Sequence, residues 1–367
     1  MRITRRHLLT RALALTAVAP PVNRGAEMTR LAEEFRTKYS VPGLSIAASY
    51  RGELVYEEAF GLADLEHSER LTPAHLFRVA SVSKPITAVA IMDLVESGRL
   101  RLDDRVFGRG GVLATDYGHP PYGRYLEDIT IQHLLTHTAG GWGNEQNDPA
   151  SAYPRLDRTR FISQVLDTRP LDTAPGEHYA YSNFGFILLG RVIEVVTGTF
   201  YDEHVKQRVL RRCGITGMSI GGDTLAERQP REVRYYGQDG DPYHFPVARS
   251  DSAAGWIATP RDLVMFVNHV DGLNTMQNIL RADTIARMTK PSAANPNYAL
   301  GWAVNSNNIW WHAGSLIGTR TIILRTSTGF CWAALVNTRQ KDWRSELLGD
   351  ALANLIWYML RAGGWRP

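Results

Sequence analysis

Strand-like segments occur near both ends of this chain and hardly at all between them, and that distribution restricts the fold more than any other feature. Residues 44–50 are rich in small and branched apolar side chains, Arg51-Gly52 makes a turn, and 53–60 alternate partly, with Leu54, Val55, Tyr56 and Phe60 apolar. The pair reads as a β-hairpin. The next strand-like runs come at 298–304, 317–325 and 331–337. Between them lie helical segments broken by Gly/Pro-rich loops, the better ones at 129–138, 160–167, 184–197 and 201–212. Residues 28–40 place Leu31, Phe35 and Tyr39 four apart on one helical face, and 343–360 form a closing amphipathic helix. The expectation is one α/β layer assembled from both ends of the chain, residues 26–98 with 250–367, and a mostly helical subdomain at 99–249.

The chain has 367 residues, 44% hydrophobic and 21% charged, enough apolar material for a sizeable core. Its formal net charge is +4, mostly from arginine, since the only lysines are Lys38, Lys84, Lys206, Lys290 and Lys341. The basic residues are spread, and no Lys/Arg block tracks a phosphate backbone, so no nucleic-acid partner is expected. Cys213 and Cys331 are too few for a disulfide framework and leave two readings, two unrelated buried thiols or a single bridge. Arg5-Arg6, an apolar run from Ala12 and Ala17-Val18-Ala19 read as an export leader over 1–25, of twin-arginine type, to the periplasm or outside; the alternative is a disordered basic leader or a helix start on a cytoplasmic protein. No apolar run reaches 18 residues, so no transmembrane helix is expected.

Ser81-Val82-Ser83-Lys84 opens a helical segment at 81–98. Residues three apart share a helix face, so Lys84 can reach the Ser81 hydroxyl. A serine hydroxyl needs a neighbouring base, and a lysine is a base only if desolvation or nearby positive charge lowers its pKa. Tyr181-Ser182-Asn183 supplies a phenol, or phenolate, able to shuttle protons, and a carboxamide able to donate and accept toward a substrate amide. In His312-Ala313-Gly314-Ser315, Gly314 permits close approach of a ligand, and the Ser315 N–H with that of Ser81 can form an oxyanion hole. His312 has two readings, a donor to a substrate carboxylate or a proton carrier on one side, a structural histidine on the other.

The order of these motifs resembles the penicillin-recognising serine hydrolases, especially the branch of class C β-lactamases, D-alanyl-D-alanine carboxypeptidases, D-aminopeptidases and related esterases. The likeness runs from about Val41 to Val336. It includes Val41-Pro42-Gly43, the run from Phe77 to Lys84, the run from Ile131 to Gly140, Pro175-Gly176-Glu177, Tyr181-Ser182-Asn183, Ala254-Gly255-Trp256, Leu300-Gly301-Trp302 and His312-Ala313-Gly314. The resemblance implies an antiparallel sheet flanked by N- and C-terminal helices with an inserted helical subdomain. It also implies Ser81, Lys84 and Tyr181 as catalytic residues, with Asn183, His312, Gly314 and Ser315 binding substrate or oxyanion. No cofactor or metal is called for. The expected substrate is a small-molecule or short-peptide amide or ester, cleaved through a Ser81 acyl-enzyme. The alternative is a transacylase that passes the acyl group to an amine or alcohol. Many β-lactamases of this branch carry lysine where His312 stands, which disfavours efficient β-lactam turnover. A non-catalytic penicillin-binding sensor on the same fold is disfavoured by the intact Ser81, Lys84 and Tyr181.

Two patterns compete with this reading. Gly217-Met218-Ser219-Ile220-Gly221 has the Gly-x-Ser-x-Gly form of a nucleophile elbow, which needs a strand before it and a helix after it; neither is expected here. His133 and His137 have zinc-helix spacing, but no glutamate follows His133 and no third ligand suggests itself. Trp142, Trp256, Trp302, Trp310 and Trp311 lie near the motifs in sequence and divide between an aromatic cleft and the core.

Overall fold

The structure, a computed structural model, describes residues 24–238, 240–273 and 275–367. The leader reading, up to residue 23, lies outside the described residues. The chain begins with helix α1 (Arg24–Tyr39) and the hairpin β1 (Gly43–Tyr50) and β2 (Glu53–Asp64), followed by a short β3 (Glu69–Arg70). Four strands return late: β4 (Ala303–Val304), β5 (Trp310–Leu316), β6 (Thr319–Arg325) and β7 (Phe330–Val336). They form one seven-stranded sheet in the order β3-β2-β1-β7-β6-β5-β4, antiparallel throughout. The two ends of the chain meet where β1 pairs with β7, from Leu44 opposite Val336 to Tyr50 opposite Phe330.

Both faces of the central strands are covered, and the period of two along each strand sorts residues between two cores. Leu44, Ile46 and Ala48 of β1 and Trp332, Ala334 and Val336 of β7 face one way. There they pack on Met28 and Phe35 of α1 and on Leu348, Leu352 and Met359 of the closing helix, Trp343–Ala362. Ala47, Ala333, Leu335 and Ile323 face the other way, into the larger core with the remaining helices. In that core lies helix α2 (Ser83–Glu96), whose residues from Ser83 to Leu94 are all buried. A helix covered all round has no solvent stripe, and its polar residues must be satisfied internally. It packs against α3 (Asn183–Thr197) and against a π-turn at Asp251–Gly255. Among the described residues no single helix is long and apolar enough to cross a membrane.

Some sequence expectations shift. The strand expected at 298–304 shrinks to β4, because Gly301 takes a positive φ of 76° and a Cβ there would lie 2.6 Å from that of Ala88. The run His312 to Ser315, which the order of motifs puts on a late strand although it breaks the apolar alternation, lies on β5. Ser219 lies in a two-residue strand beside Trp256–Ala258, with its hydroxyl donating to Gln229 Oε1 at 2.7 Å, so no strand–turn–helix elbow forms around it. Cys213 and Cys331 are buried free thiols. Trp256 and Trp302 are core residues, whereas Trp142 also lines the cleft described below.

Candidate active site

Ser81 stands in a 3-10 turn, Ala80–Val82, that runs directly into α2. Three devices hold this turn. Phe77–Arg78 pairs with Trp256–Ala258, and the Val79 N–H donates to Trp256 O at 2.9 Å. The hydroxyls of Thr319 and Thr321 on β6 donate to the carbonyls of Arg78 and Val79 at 3.1 and 2.8 Å. The Arg78 guanidinium, buried, donates to Pro242 O and Gly222 O and stacks on Tyr235. Between them Ala80 is held at φ 50°, a left-handed conformation that costs a non-glycine residue about 1–3 kcal/mol and persists only when its surroundings impose it.

Gly314 has a job within the fold. A Cβ there would lie 2.3 Å from Val79 O and 2.2 Å from Thr321 Oγ1. The close approach between β5 and the segment leading into the Ala80–Val82 turn by itself requires glycine. Ser315 follows, half-buried, on the stretch of β5 beyond Trp311. Among the described residues β4 covers only Trp310 and Trp311, so the outer edge of β5 at Ser315 has no strand partner and can serve an incoming group.

Lys84 lies wholly buried in the first turn of α2. Its Nζ is 3.1 Å from Ser81 Oγ, 2.7 Å from Asn183 Oδ1 and 3.0 Å from Ala253 O, and it sits over the Tyr181 ring at 4.8 Å. Burial lowers its pKa from 10.5 to about 7, with the charge of Asp148 acting in the opposite direction. A neutral amine has two N–H bonds and one lone pair. The carbonyl oxygens of Asn183 and Ala253 are acceptors only, so they take both N–H groups and leave the lone pair facing the Ser81 hydroxyl. The orientation of Asn183 is set by Asp148, whose carboxylate accepts from Asn183 Nδ2 at 2.8 Å. Sequence reasoning placed Asn183 toward substrate; here both ends of its carboxamide are engaged by the protein. Asp148 and Ala253 were missed. Neither sits in a recognisable motif, and Ala253 contributes only a backbone carbonyl.

Tyr181 and Ser182 immediately precede α3, with Ser182 as its N-cap accepting from the Gly185 N–H at 3.2 Å. Burial pushes the Tyr181 phenol above its ordinary pKa, and a hydrogen bond with Ser81 acts the other way. The phenol therefore keeps its proton at neutral pH, and of the two forms considered from sequence the phenolate is the one the structure disfavours.

His312 is buried, and its pKa is lowered to about 3, by burial first and by the Lys84 charge second. Its Nδ1 lies 2.8 Å from Ala313 O and its Nε2 3.1 Å from Tyr298 Oη. The same Tyr298 oxygen lies 3.1 Å from His137 Nε2, and His137 Nδ1 accepts from the Ser182 N–H at 3.1 Å. Burial also takes His137 well below its ordinary pKa. With both imidazoles neutral only one donor order satisfies every atom. Ser182 N–H donates to His137 Nδ1, His137 Nε2–H to Tyr298, Tyr298 O–H to His312 Nε2, and His312 Nδ1–H to Ala313 O. Both ring nitrogens of His312 are thus taken, and the expected donation to a substrate carboxylate is corrected to a structural link between the Tyr181–Ser182 turn and β5. His137 belongs to this link, and His133 Nδ1 accepts from the Thr130 N–H at 3.2 Å, so the two histidines with zinc-like spacing have separate jobs.

Beside Tyr181 opens a cavity of about 580 Å³, lined among others by Trp142, Glu145, Arg169, Asp172 and Tyr179. That is within the usual size of a small-molecule site. A cavity of about 620 Å³ along Thr275–Arg281 touches none of the residues above.

Comparison with known proteins agrees with this fold. Penicillin-binding protein 4* of Bacillus subtilis (strain 168) is 25% identical over 339 residues, 83% of this chain and 69% of the relative. Penicillin-binding protein 4 of Amycolatopsis lactamdurans is 30% identical over 248 residues, 65% of this chain. The chain spans 62% of that relative and 57% of Protein flp of Staphylococcus aureus (strain COL), less than two thirds of either. Among solved structures, D-amino acid amidase from Ochrobactrum anthropi SV3 superposes with a TM-score of 0.75 at 24% identity, over 93% of this chain and 98% of that one. The octameric penicillin-binding protein homologue from Pyrococcus abyssi gives 0.74 at 22% identity, over 91% of this chain and 77% of that one. At these identities the structural likenesses establish the fold. The family model Beta-lactamase matches residues 28–355, nearly the whole chain. This chain belongs to that family and is a serine hydrolase of the penicillin-recognising, β-lactamase-like superfamily.

Proposed function

We propose that the protein hydrolyses an amide or ester of a small molecule or short peptide through an acyl-enzyme on Ser81. The observation that carries this reading is the buried Lys84 amine, with two acceptors taking its N–H groups and Ser81 Oγ 3.1 Å away. Lys84 takes the Ser81 proton as Oγ bonds to the substrate carbonyl carbon. The carbonyl oxygen becomes an oxyanion, received by the N–H groups of Ser81 and Ser315. The carbonyl re-forms as the bond to the leaving amine or alkoxide breaks. Tyr181 gives its proton to that leaving group and is reprotonated by the Lys84 ammonium. Water then reverses the sequence: it loses a proton through Tyr181 to Lys84, attacks the acyl carbon, and Ser81 recovers its proton as the acid departs.

The cavity beside Tyr181 supports a substrate of short-peptide size, with aromatic walls at Trp142 and Tyr179 and the carboxylates Glu145 and Asp172 suited to an amino group. The likeness to D-amino acid amidase supports including D-amino acid amides among the compounds tested. The test is labelling by a fluorophosphonate, followed by competition with D-amino acid amides, D-alanyl peptides, short-chain esters and cephalosporins. Hydrolysis of one class, with labelling lost in Ser81→Ala and retained in Ser219→Ala, is expected. Labelling that persists in Ser81→Ala would overturn the reading. The same reactions run with added amines or alcohols, and analysed by mass, read transfer to a non-water acceptor.

A further inference from the structure

Among the described residues no carboxylate lies within ion-pair distance of the Lys84 amine. The nearest route from Lys84 to a negative charge runs through one amide: Lys84 Nζ to Asn183 Oδ1 at 2.7 Å, then Asn183 Nδ2 to Asp148 Oδ2 at 2.8 Å. Asp148 is itself fixed. Its other oxygen, Oδ1, accepts from the Ala150 N–H at 2.9 Å and caps the turn Pro149–Ser151, whose Ala150 carbonyl is held by Arg249 at 3.0 Å. The segment is docked on the site by two more bonds, Asn144 N–H to Tyr181 O at 2.8 Å and Asn183 N–H to Asn144 Oδ1 at 3.0 Å.

We propose that Asp148 is a positioning residue of the active site, acting through the Asn183 carboxamide to keep an acceptor on Lys84 and to place a negative charge behind it. The inference rests on the reading of Lys84 as the base for Ser81. Without an acceptor-only partner, the Asn183 carboxamide is free to turn its NH₂ toward Lys84, donor against donor, and the lone pair of Lys84 is no longer directed at Ser81. The charge has a separate effect. Burial favours the neutral amine, and the Asp148 carboxylate favours the ammonium. The other titratable groups around Lys84 are Tyr181, His137 and His312, whose shifts leave all three neutral at neutral pH. Asp148 is then the group that keeps the Lys84 pKa from falling further, so that a proton taken from Ser81 can still be held long enough to be passed on.

Two variants separate orientation from charge. In Asp148→Asn the new carboxamide oxygen can still accept from Asn183 Nδ2, and only the charge is lost. In Asp148→Ala both are lost. The first readout is the pH dependence of fluorophosphonate labelling at Ser81. Asp148→Asn is expected to move the acid limb of the labelling rate to lower pH by about one unit. Asp148→Ala is expected to move it similarly and to lower the plateau on the order of tenfold or more, through lost orientation. The second readout does not depend on activity. With only five lysines, a protein carrying ¹³Cε-labelled lysine gives a Lys84 resonance identified by its absence from Lys84→Arg. Its titration midpoint is expected to fall in Asp148→Asn. A midpoint unchanged in a folded Asp148→Asn protein overturns the proposal. A midpoint that falls while Ser81 is never labelled leaves Asp148 in place and overturns instead the reading of Ser81 as nucleophile.

Discussion

A lysine with no exposed surface must shed its charge or find a counter-charge, and Lys84 does some of each: burial takes its pKa to about 7 while Asp148 acts against the shift. The base form is the deprotonated one, so acylation of Ser81 should rise with pH through about 7 and then level, measured as fluorophosphonate labelling rate. Lys84→Ala should lower that rate on the order of 10³-fold, as for other nucleophile–base pairs. The same shift has a sign in stability. The folded pKa lies below the unfolded one, so the unfolded chain binds more protons between about pH 7 and 10.5, and folding stability contributed by this group rises with pH across that window. Urea denaturation of the parent and Lys84→Met should show the parent gaining relative stability from pH 7 to 10. His312 behaves likewise at lower pH. Its folded pKa of about 3 lies under the unfolded value of 6.5, so its contribution is lost as pH falls through that interval. Tyr298→Phe removes the hydroxyl between His137 and His312 and leaves His137 Nε2–H without its acceptor and His312 Nε2 without its donor. A loss of about 1–3 kcal/mol in chemical denaturation is expected.

At the level of elements, the site is a contact between a strand and a turn. β5 crosses the Ala80–Val82 turn so closely that Gly314 has no room for a Cβ, and β6 ties the preceding carbonyls down through Thr319 and Thr321. Gly314→Ala must push β5 away from Val79 or break the Thr321 bond. A destabilisation of about 1–3 kcal/mol, with a fall in Ser81 labelling measured on the folded fraction, is expected. Thermal melting beside the labelling rate separates the two effects. The Asp251–Gly255 π-turn is the corresponding device for Lys84. Arg191 and Arg158 hold the Asp251 carboxylate at 2.9 and 3.0 Å, and the turn then presents the Ala253 carbonyl to the amine. π-turns are rare and are found often at functional sites, where they re-aim a backbone group that a regular helix would bury in its own ladder.

Across the whole molecule, the seven-stranded sheet separates the candidate chemistry from much of the core that supports it. Met28, Phe35, Leu352 and Trp332 lie on the face opposite α2. Leu352→Ala should therefore lower stability by about 2–5 kcal/mol in denaturant titration while leaving the labelling rate of the folded protein unchanged. A matching loss of rate would show that the two cores communicate through the sheet. The closure of β1 on β7 is also the most non-local pairing in the fold, joining residues near opposite ends of the chain.

The proximity of Ser81 and Lys84, the hairpin at 44–60 and the closing helix were legible because each depends on spacing along a single segment: three residues on a helix face, two on a strand, four on an amphipathic surface. The partners of His312 and Gly314 were not, because they lie on other segments. Gly314 is required by Val79, and His312 is tied up by Tyr298 and His137. Asp148 was invisible for the same cause, being one of many acidic residues until the fold lays it against Asn183. The sequence by itself determined which groups can do chemistry and in what order they occur along the chain. Which of them has its pKa lowered, which keeps its proton and which is taken up by the protein's own hydrogen bonds follows from the tertiary structure, because protonation and hydrogen bonding depend on burial and on neighbours that folding brings from elsewhere in the chain.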